Sequence, residues 1–334
     1  MTGTAIGIDI GATRLKMAHV DAFGTILASA IVPTPQSGAG IEIVDRVAAE
    51  VRSFRELAVA KGFHPLGIGL DVPHLVDGPD WVQRWANTMP ALEGLALRPL
   101  LEDRLGGELA IANDVNAFTI AEHKFGRGQG TDRLVLVAIG TGISIGVVAD
   151  GEVLEYNWGT AGDTGHIIVD VDGLNECSCG GHGCLETVAS GSGIRDELLR
   201  AVARGEGTVL AERLGRGETV TSRDVAEAAR AGDPLCSRIF ERAAFFLGVG
   251  LASYFHTYRP EIFVLAGGVV DSSDLLLDPM RDWLPRLASP ARLSGFRGIE
   301  LAAYPEMGAA VGSASLILFP RERATGLPSH EVAS

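Results

Sequence analysis

The sequence predicts an α/β protein of two domains, and three observations carry that expectation. Apolar runs of strand length alternate with amphipathic stretches of helical period along most of the chain. One device occurs once in each half: a strand, a glycine turn, and a second strand ending in Asp before a further turn. It reads "AIGIDI", "GATR", "LKMAHVD" near the start and "LVLVAI", "GTG", "ISIGVVAD" at 134–150. Finally, 334 residues exceed what one hydrophobic core usually organises. A cleft between two such domains is the ordinary place for a small ligand.

Taken in order, residues 5–10 and the run after "GATR" read as a hairpin with a polar tip. Segment 41–62 puts Ile43, Val44, Val47, Val51, Phe54 and Ala58 on one helical face. A strand follows at 66–70, then a proline-containing loop from Asp71 to Pro90, a helix near 96–105 and a strand at 108–114. The next helix should run from Val115 to about Phe125, capped by Asn113 or Asp114. After a cysteine-rich segment the chain reads as helical through 238–260 and ends its strands with "EIFVLAGG".

Composition narrows the function classes. Hydrophobic residues at 46% and charged ones at 21% are globular values, with only the terminal "TGLPSHEVAS" reading as unstructured. A formal charge of −14 would repel a phosphate backbone, which sets a nucleic-acid partner aside. No apolar run reaches the roughly 18 residues a membrane span needs, and "MTGTAIGIDIG" reads as a strand rather than a leader. The expectation is a cytoplasmic protein with no membrane partner, in a compartment where disulfides are rare.

In that setting "NECSCGGHGCLE" is a metal candidate. Zinc takes four soft or borderline donors in a tetrahedron, and Cys177, Cys179 and Cys184 supply three within one loop. His166 is the nearest donor outside the loop, and His182 is its rival inside it. Four protein donors make a closed site whose task is to fix the loop; Cys236 reads as core. The turns "DIGATR" and "IGTGIS" let backbone N–H groups approach an anion, although each alone also reads as a plain hairpin turn. Asp9 is placed to serve Mg²⁺ through water, or simply to pair with turn amides. Asp114 follows a buried strand, where α/β proteins place their chemistry, with helix capping as the structural alternative.

Together these segments resemble the ROK family of bacterial sugar kinases and repressors. The likeness spans nearly the whole chain: "GIDIGATRLKMAHVDAFG", "ANDVNAFTIAEHKFGRG", "VAIGTGISIGVVADG", "AGDTGHIIVDVDGLNECSCGGHGCLETVASG" and "VLAGGVVD". The zinc segment is the most specific of them. The resemblance implies an α/β, two-domain actin/hexokinase-like (ribonuclease H-like) fold with an inter-domain cleft. The implied division is a small domain over 1–113, a large one with the zinc loop over 114–306, and a helix at about 307–320 returning to the first. It implies an ATP-dependent kinase acting on a hexose 6-hydroxyl, with Mg²⁺ and structural Zn²⁺, and a homodimer. Asp114 would be the general base, and Asn113, Asp163, His166 and Glu186 would hydrogen-bond the sugar, His166 while also ligating zinc. Asp9 would serve Mg²⁺. Gly11, Thr13 and Arg14 in the first turn, and Gly140, Thr141 and Gly142 in the second, would hold phosphates. Gly267 and Gly268 would face the adenosine.

Departures from the family pattern bear on the substrate. The usual sugar-lining glutamate is Asp163, one methylene shorter; His74 stands where a glycine contacts the sugar near its 3-position; Ser144 replaces Gly or Ala; and the tryptophan usual in the following loop is missing from "ANTMPALEG". Polar contacts of this kind set selectivity strongly. They point to glucose or to an analogue modified near carbon 3, such as the aminosugar kanosamine, with a seven-carbon cyclitol of secondary metabolism as the alternative. A different class remains in view, a sugar-responsive regulator lacking kinase activity. Such repressors carry a helix-turn-helix ahead of the first phosphate motif, which here begins by residue 6. A sugar-binding pseudokinase is disfavoured by the presence of Asp9, Asp114 and both glycine turns.

Overall fold

The computed structural model describes residues 3–35, 37–73, 75–84, 89–156, 160–173, 175–289 and 292–320. The first glycine device becomes a three-stranded meander, β1 (Thr4–Ile10), β2 (Arg14–Asp21) and β3 (Ile26–Pro33). Asp21 builds its second turn by accepting from Phe23 N and Thr25 N at 2.9 Å each. Helix α1 (Gly40–Ala60) buries the face that its sequence predicts, Ile43 through Ala58. Strand β4 (Ile68–Val72) pairs with β1 in parallel, and β7 (Leu109–Asn113) with β4, giving the order β3-β2-β1-β4-β7.

Between them lie β5 (Leu75–Asp77), β6 (Val82–Arg84) and α2 (Leu97–Leu105). The expected loop over 71–90 is therefore corrected: β4 continues through Asp71 to Val72, and β5 pairs antiparallel with β6. Strands of three residues are too short for a period of two to register in sequence.

Helix α3 (Asp114–Lys124) leads into the second device, β8 (Leu134–Ile139), β9 (Ile143–Ala149) and β10 (Glu152–Val153). The cysteine segment is followed by α4 (Leu185–Ala189), α5 (Gly191–Ala203), α6 (Ala211–Gly215), α7 (Ser222–Arg230) and the long α8 (Pro234–Tyr258). Strand β11 (Ile262–Ala266), α9 (Ser273–Leu287) and β12 (Gly298–Leu301) complete a second sheet of order β10-β9-β8-β11-β12. Both sheets thus place an antiparallel meander beside two parallel strands, which is the repetition the two glycine devices announce.

Helix α10 (Gly308–Leu318) packs on β1 and β4 on one side and on α3 on the other. Glycines make that approach possible. A Cβ on Gly7 would lie 1.8 Å from Ala310 O, one on Gly69 1.8 Å from Ser313 O, and one on Gly312 1.6 Å from Ala117 O. No side chain fits at such separations. The close stacking brings the C-terminal ends of β1 and β4 and the start of α3 to one place. Separate cores serve the two sheets, one built around Ile6, Leu70 and Phe54 and the other around Val137, Phe240 and Phe263. Among the described residues no helix is long and apolar enough to cross a membrane.

Candidate active site

Strand pairing assembles the carboxylates. The parallel register sets Asp9 beside Asp71, and Asp71 beside Ala112, two residues ahead of Asp114. The antiparallel register sets Asp9 opposite Lys16, whose Nζ lies 2.7 Å from Asp9 Oδ2. Asn113 caps α3, accepting from Val115 N at 3.2 Å, and Asp114 Oδ1 accepts from the same N–H at 2.7 Å. Asn113 is thus the capping residue, and Asp114 opens the helix beside it. Asp114 is half-buried, and its removal from water, reinforced by the charge of Asp9, pushes its carboxyl up to about 7. At that value it is poised between acid and base under ordinary conditions.

Asp71 is fully buried. Its Oδ2 accepts from Ser313 Oγ at 2.8 Å, while among the described residues Oδ1 has no partner. Burial, with Asp9 and Asp114 nearby, holds its carboxyl well above the usual range. Sequence reasoning missed both Asp71 and Lys16. Lys16 was open to inference from hairpin register, since a four-residue tip at 11–14 places it opposite Asp9. Asp71 showed only as a lone charge in the otherwise apolar run "IGLDV".

The first turn is anchored by Thr34, the residue after β3, whose Oγ1 donates to Gly11 O at 2.6 Å and whose N donates to Thr13 O at 3.0 Å. Thr13 is exposed, and Arg14 reaches Glu306 at 3.3 Å. In the second turn Gly140 N donates to Gly142 O at 2.9 Å. A Cβ on Gly140 or Gly268 would meet nothing within 4 Å, so both open onto free space. Gly267, at φ 90°, lies against the end of β8, where a Cβ would come 2.5 Å from Ile139 O.

The metal candidates converge. Ligand atoms of His166, Cys177, Cys179 and Cys184 all lie within 4.8 Å of one another, and the rival His182 is not among them. Cys179 Sγ is 3.7 Å from Cys184 Sγ, and His166 Nδ1 is 3.2 Å from Cys177 Sγ. Thiolates about 2.3 Å from one tetrahedral ion would stand about 3.8 Å apart, so the donor set fits zinc. The His166 ring presents its other nitrogen, Nε2, to Asp163 Oδ1 at 3.5 Å. One histidine thus joins the thiol cluster to an exposed carboxylate. Tyr254 Oη holds this turn by donating to Thr164 O at 2.6 Å. Glu186 Oε2 accepts from Ile143 N at 2.9 Å and Oε1 from Ser178 Oγ at 3.3 Å, between the first two cysteines. Cys236 is buried in the core, as its sequence setting suggests. His74 lies outside the described residues.

Two sheets of one plan, with acidic residues at strand ends and glycine turns, define an actin- and hexokinase-like protein. Within that class the chain belongs to the ROK family, whose model, described as "ROK family", matches residues 5–319. It is 30% identical over 314 residues to a glucokinase of Thermotoga maritima, covering 93% of this chain and 96% of that one. A ROK family glucokinase from Streptomyces griseus, solved in complex with glucose and AMPPNP, superimposes with a TM-score of 0.77 at 31% identity, over 94% of this chain and 99% of that one. A ROK family transcriptional regulator, a homolog of the E. coli MLC protein, superimposes with a TM-score of 0.81 at 27% identity, over 95% of this chain and 78% of that one.

Proposed function

We propose that this glucokinase-like ROK protein is an ATP-dependent phosphotransferase acting on the 6-hydroxyl of a hexose, with Asp114 as general base. The observation that carries the reading is Asp114 itself: a half-buried carboxyl at a strand end, beside the capping Asn113, with its proton affinity raised to about 7. In the reaction the sugar hydroxyl donates its proton to Asp114 as its oxygen bonds to the γ-phosphorus. The bond to the bridging oxygen then breaks and ADP leaves. Little covalent work falls to the protein, so catalysis is alignment and charge stabilisation.

In this reading Asn113, Asp163, His166 and Glu186 orient the sugar, backbone N–H groups of the two turns receive phosphates, and Gly267 and Gly268 let the adenosine approach. Mg²⁺, reached through water from Asp9, would neutralise charge on the phosphates when bound. Zn²⁺ held by His166, Cys177, Cys179 and Cys184 would supply a closed structural centre that fixes the His166 ring. The domains fall at 1–113 and 114–306, with the C-terminal helix returning to the first, which the packing of α10 on β1 and β4 supports. Family likeness favours a homodimer in the cytoplasm.

The finer substrate reading is glucose or a relative modified near carbon 3, such as kanosamine, with a cyclitol as alternative. It rests on Asp163 and on His74 in the sequence. The second functional reading, a sugar-responsive regulator, draws on the likeness in fold to the MLC-type regulator. A coupled ADP-release assay across glucose, 3-amino-3-deoxyglucose, N-acetylated hexosamines and cyclitols separates these. We expect ADP with glucose or its carbon-3 analogue. Sugar binding without ADP release from any member would favour the regulator.

A further inference from the structure

The turn at Gly140–Gly142 is gripped from outside its own hairpin. Gly191 N donates to Gly140 O at 2.8 Å; Ser192 N and Ser192 Oγ both donate to Thr141 O, at 3.3 Å and 2.6 Å. Ser190 Oγ stands 3.0 Å from Ser192 Oγ and accepts from Gly193 N at 3.0 Å, so the second serine is itself held in place at the start of α5. On the other flank Glu186 takes Ile143 N and lies so close that a Cβ on Gly142 would come 2.3 Å from its Oε2.

Peptide geometry gives this grip a direction. In a trans peptide the C=O of one residue and the N–H of the next point to opposite sides. With the carbonyls of Gly140 and Thr141 drawn toward residues 191 and 192, the N–H groups of Thr141 and Gly142 are turned the other way. Among the described residues neither has a partner. Two successive N–H groups aimed together form a concave anion receptor.

We infer that Ser192, with Gly191 and Glu186, is a positioning residue for the nucleotide: the clasp it forms sets the two N–H groups of the second glycine turn to receive a phosphate. Glu186 also accepts from Ser178, and α4, which carries Glu186, begins directly after Cys184. The clasp therefore grows out of the metal loop and ties it to the nucleotide side as well as the sugar side. The inference rests on the kinase reading and deepens it.

The experiment compares wild type, Ser192→Ala and Ser192→Thr by calorimetric binding of AMPPNP with Mg²⁺, by sugar binding in separate titrations, and by thermal melting. Removing the hydroxyl should weaken AMPPNP about fivefold, the scale of one hydrogen bond. Sugar affinity should stay where it was, the melting temperature should fall by no more than the few degrees that one hydrogen bond supports, and threonine, which keeps the hydroxyl, should restore nucleotide binding. Wild type that binds AMPPNP while Ser192→Ala binds it equally well would overturn the clasp alone. Parallel loss of sugar and nucleotide binding with a larger fall in melting temperature would overturn it too, by showing general loosening. Wild type that binds no AMPPNP would overturn the kinase reading and the clasp together.

Discussion

Asp114 shows at the level of one side chain how function and stability pull apart. Its carboxyl is pushed up to about 7 because the fold penalises its charged form. The unfolded chain ionises it near its ordinary value. Between those two values the native state binds the extra proton, so stability falls as pH rises and levels off above about 7. An uncharged isostere escapes that loss. Asp114→Asn should therefore melt higher than wild type at pH 8, by on the order of 2 kcal/mol for a crevice group, and converge with it near pH 4. Equal melting at both values would mean that Asp114 is not electrostatically strained. Asp71, raised in the same direction and fully buried, adds to the same loss. Activity runs the other way. A base must be deprotonated, so kcat/KM for the sugar should fall about tenfold per pH unit below about 7 and flatten above it. A profile flat down to pH 5 would argue against a base of this affinity.

Individual elements divide the glycines into those the fold needs and those a ligand needs. Gly267→Ala should destabilise by about 1–3 kcal/mol, since its φ of 90° and the nearby Ile139 O leave no room for a methyl group. Gly140→Ala and Gly268→Ala meet open space in the protein and should melt like wild type, yet raise the KM for ATP about tenfold by blocking close approach of a phosphate or base. If those two melt low instead, their openness is not reserved for a ligand. The metal loop invites a parallel test. Elemental analysis should find about one zinc per chain; His166→Ala should lose metal and sugar affinity together, and His182→Ala should keep both. Metal lost from the His182 variant instead would exchange the two roles.

Viewed whole, the molecule was most legible where period and punctuation were strong. The face of α1, the two glycine devices and the cysteine cluster were all written locally, and each appears where its pattern placed it. Less was legible where neighbours decide. β3, ILASAIVP, carries apolar residues on both its half-buried and its exposed face, so no alternation of polarity marks it as a strand. α9 contains Pro279 and Pro285, which read as breaks. The Asp9–Lys16 pair depends on register, the Ser313–Asp71 bond joins residues 242 apart, and the Ser192–Thr141 bond joins residues 51 apart. Hairpin register makes the first of these readable, but no local pattern announces the other two. In the proposed reaction all these scales meet: two repeated sheets and a clasped glycine turn would bring a phosphate donor to a sugar whose 6-hydroxyl gives its proton to Asp114. The most direct test of that reaction is Asp114→Asn, measured for ADP release and for sugar binding under the conditions where wild type turns over. The account predicts a loss of turnover of about 10²–10⁴-fold with sugar affinity preserved; turnover equal to wild type would contradict it.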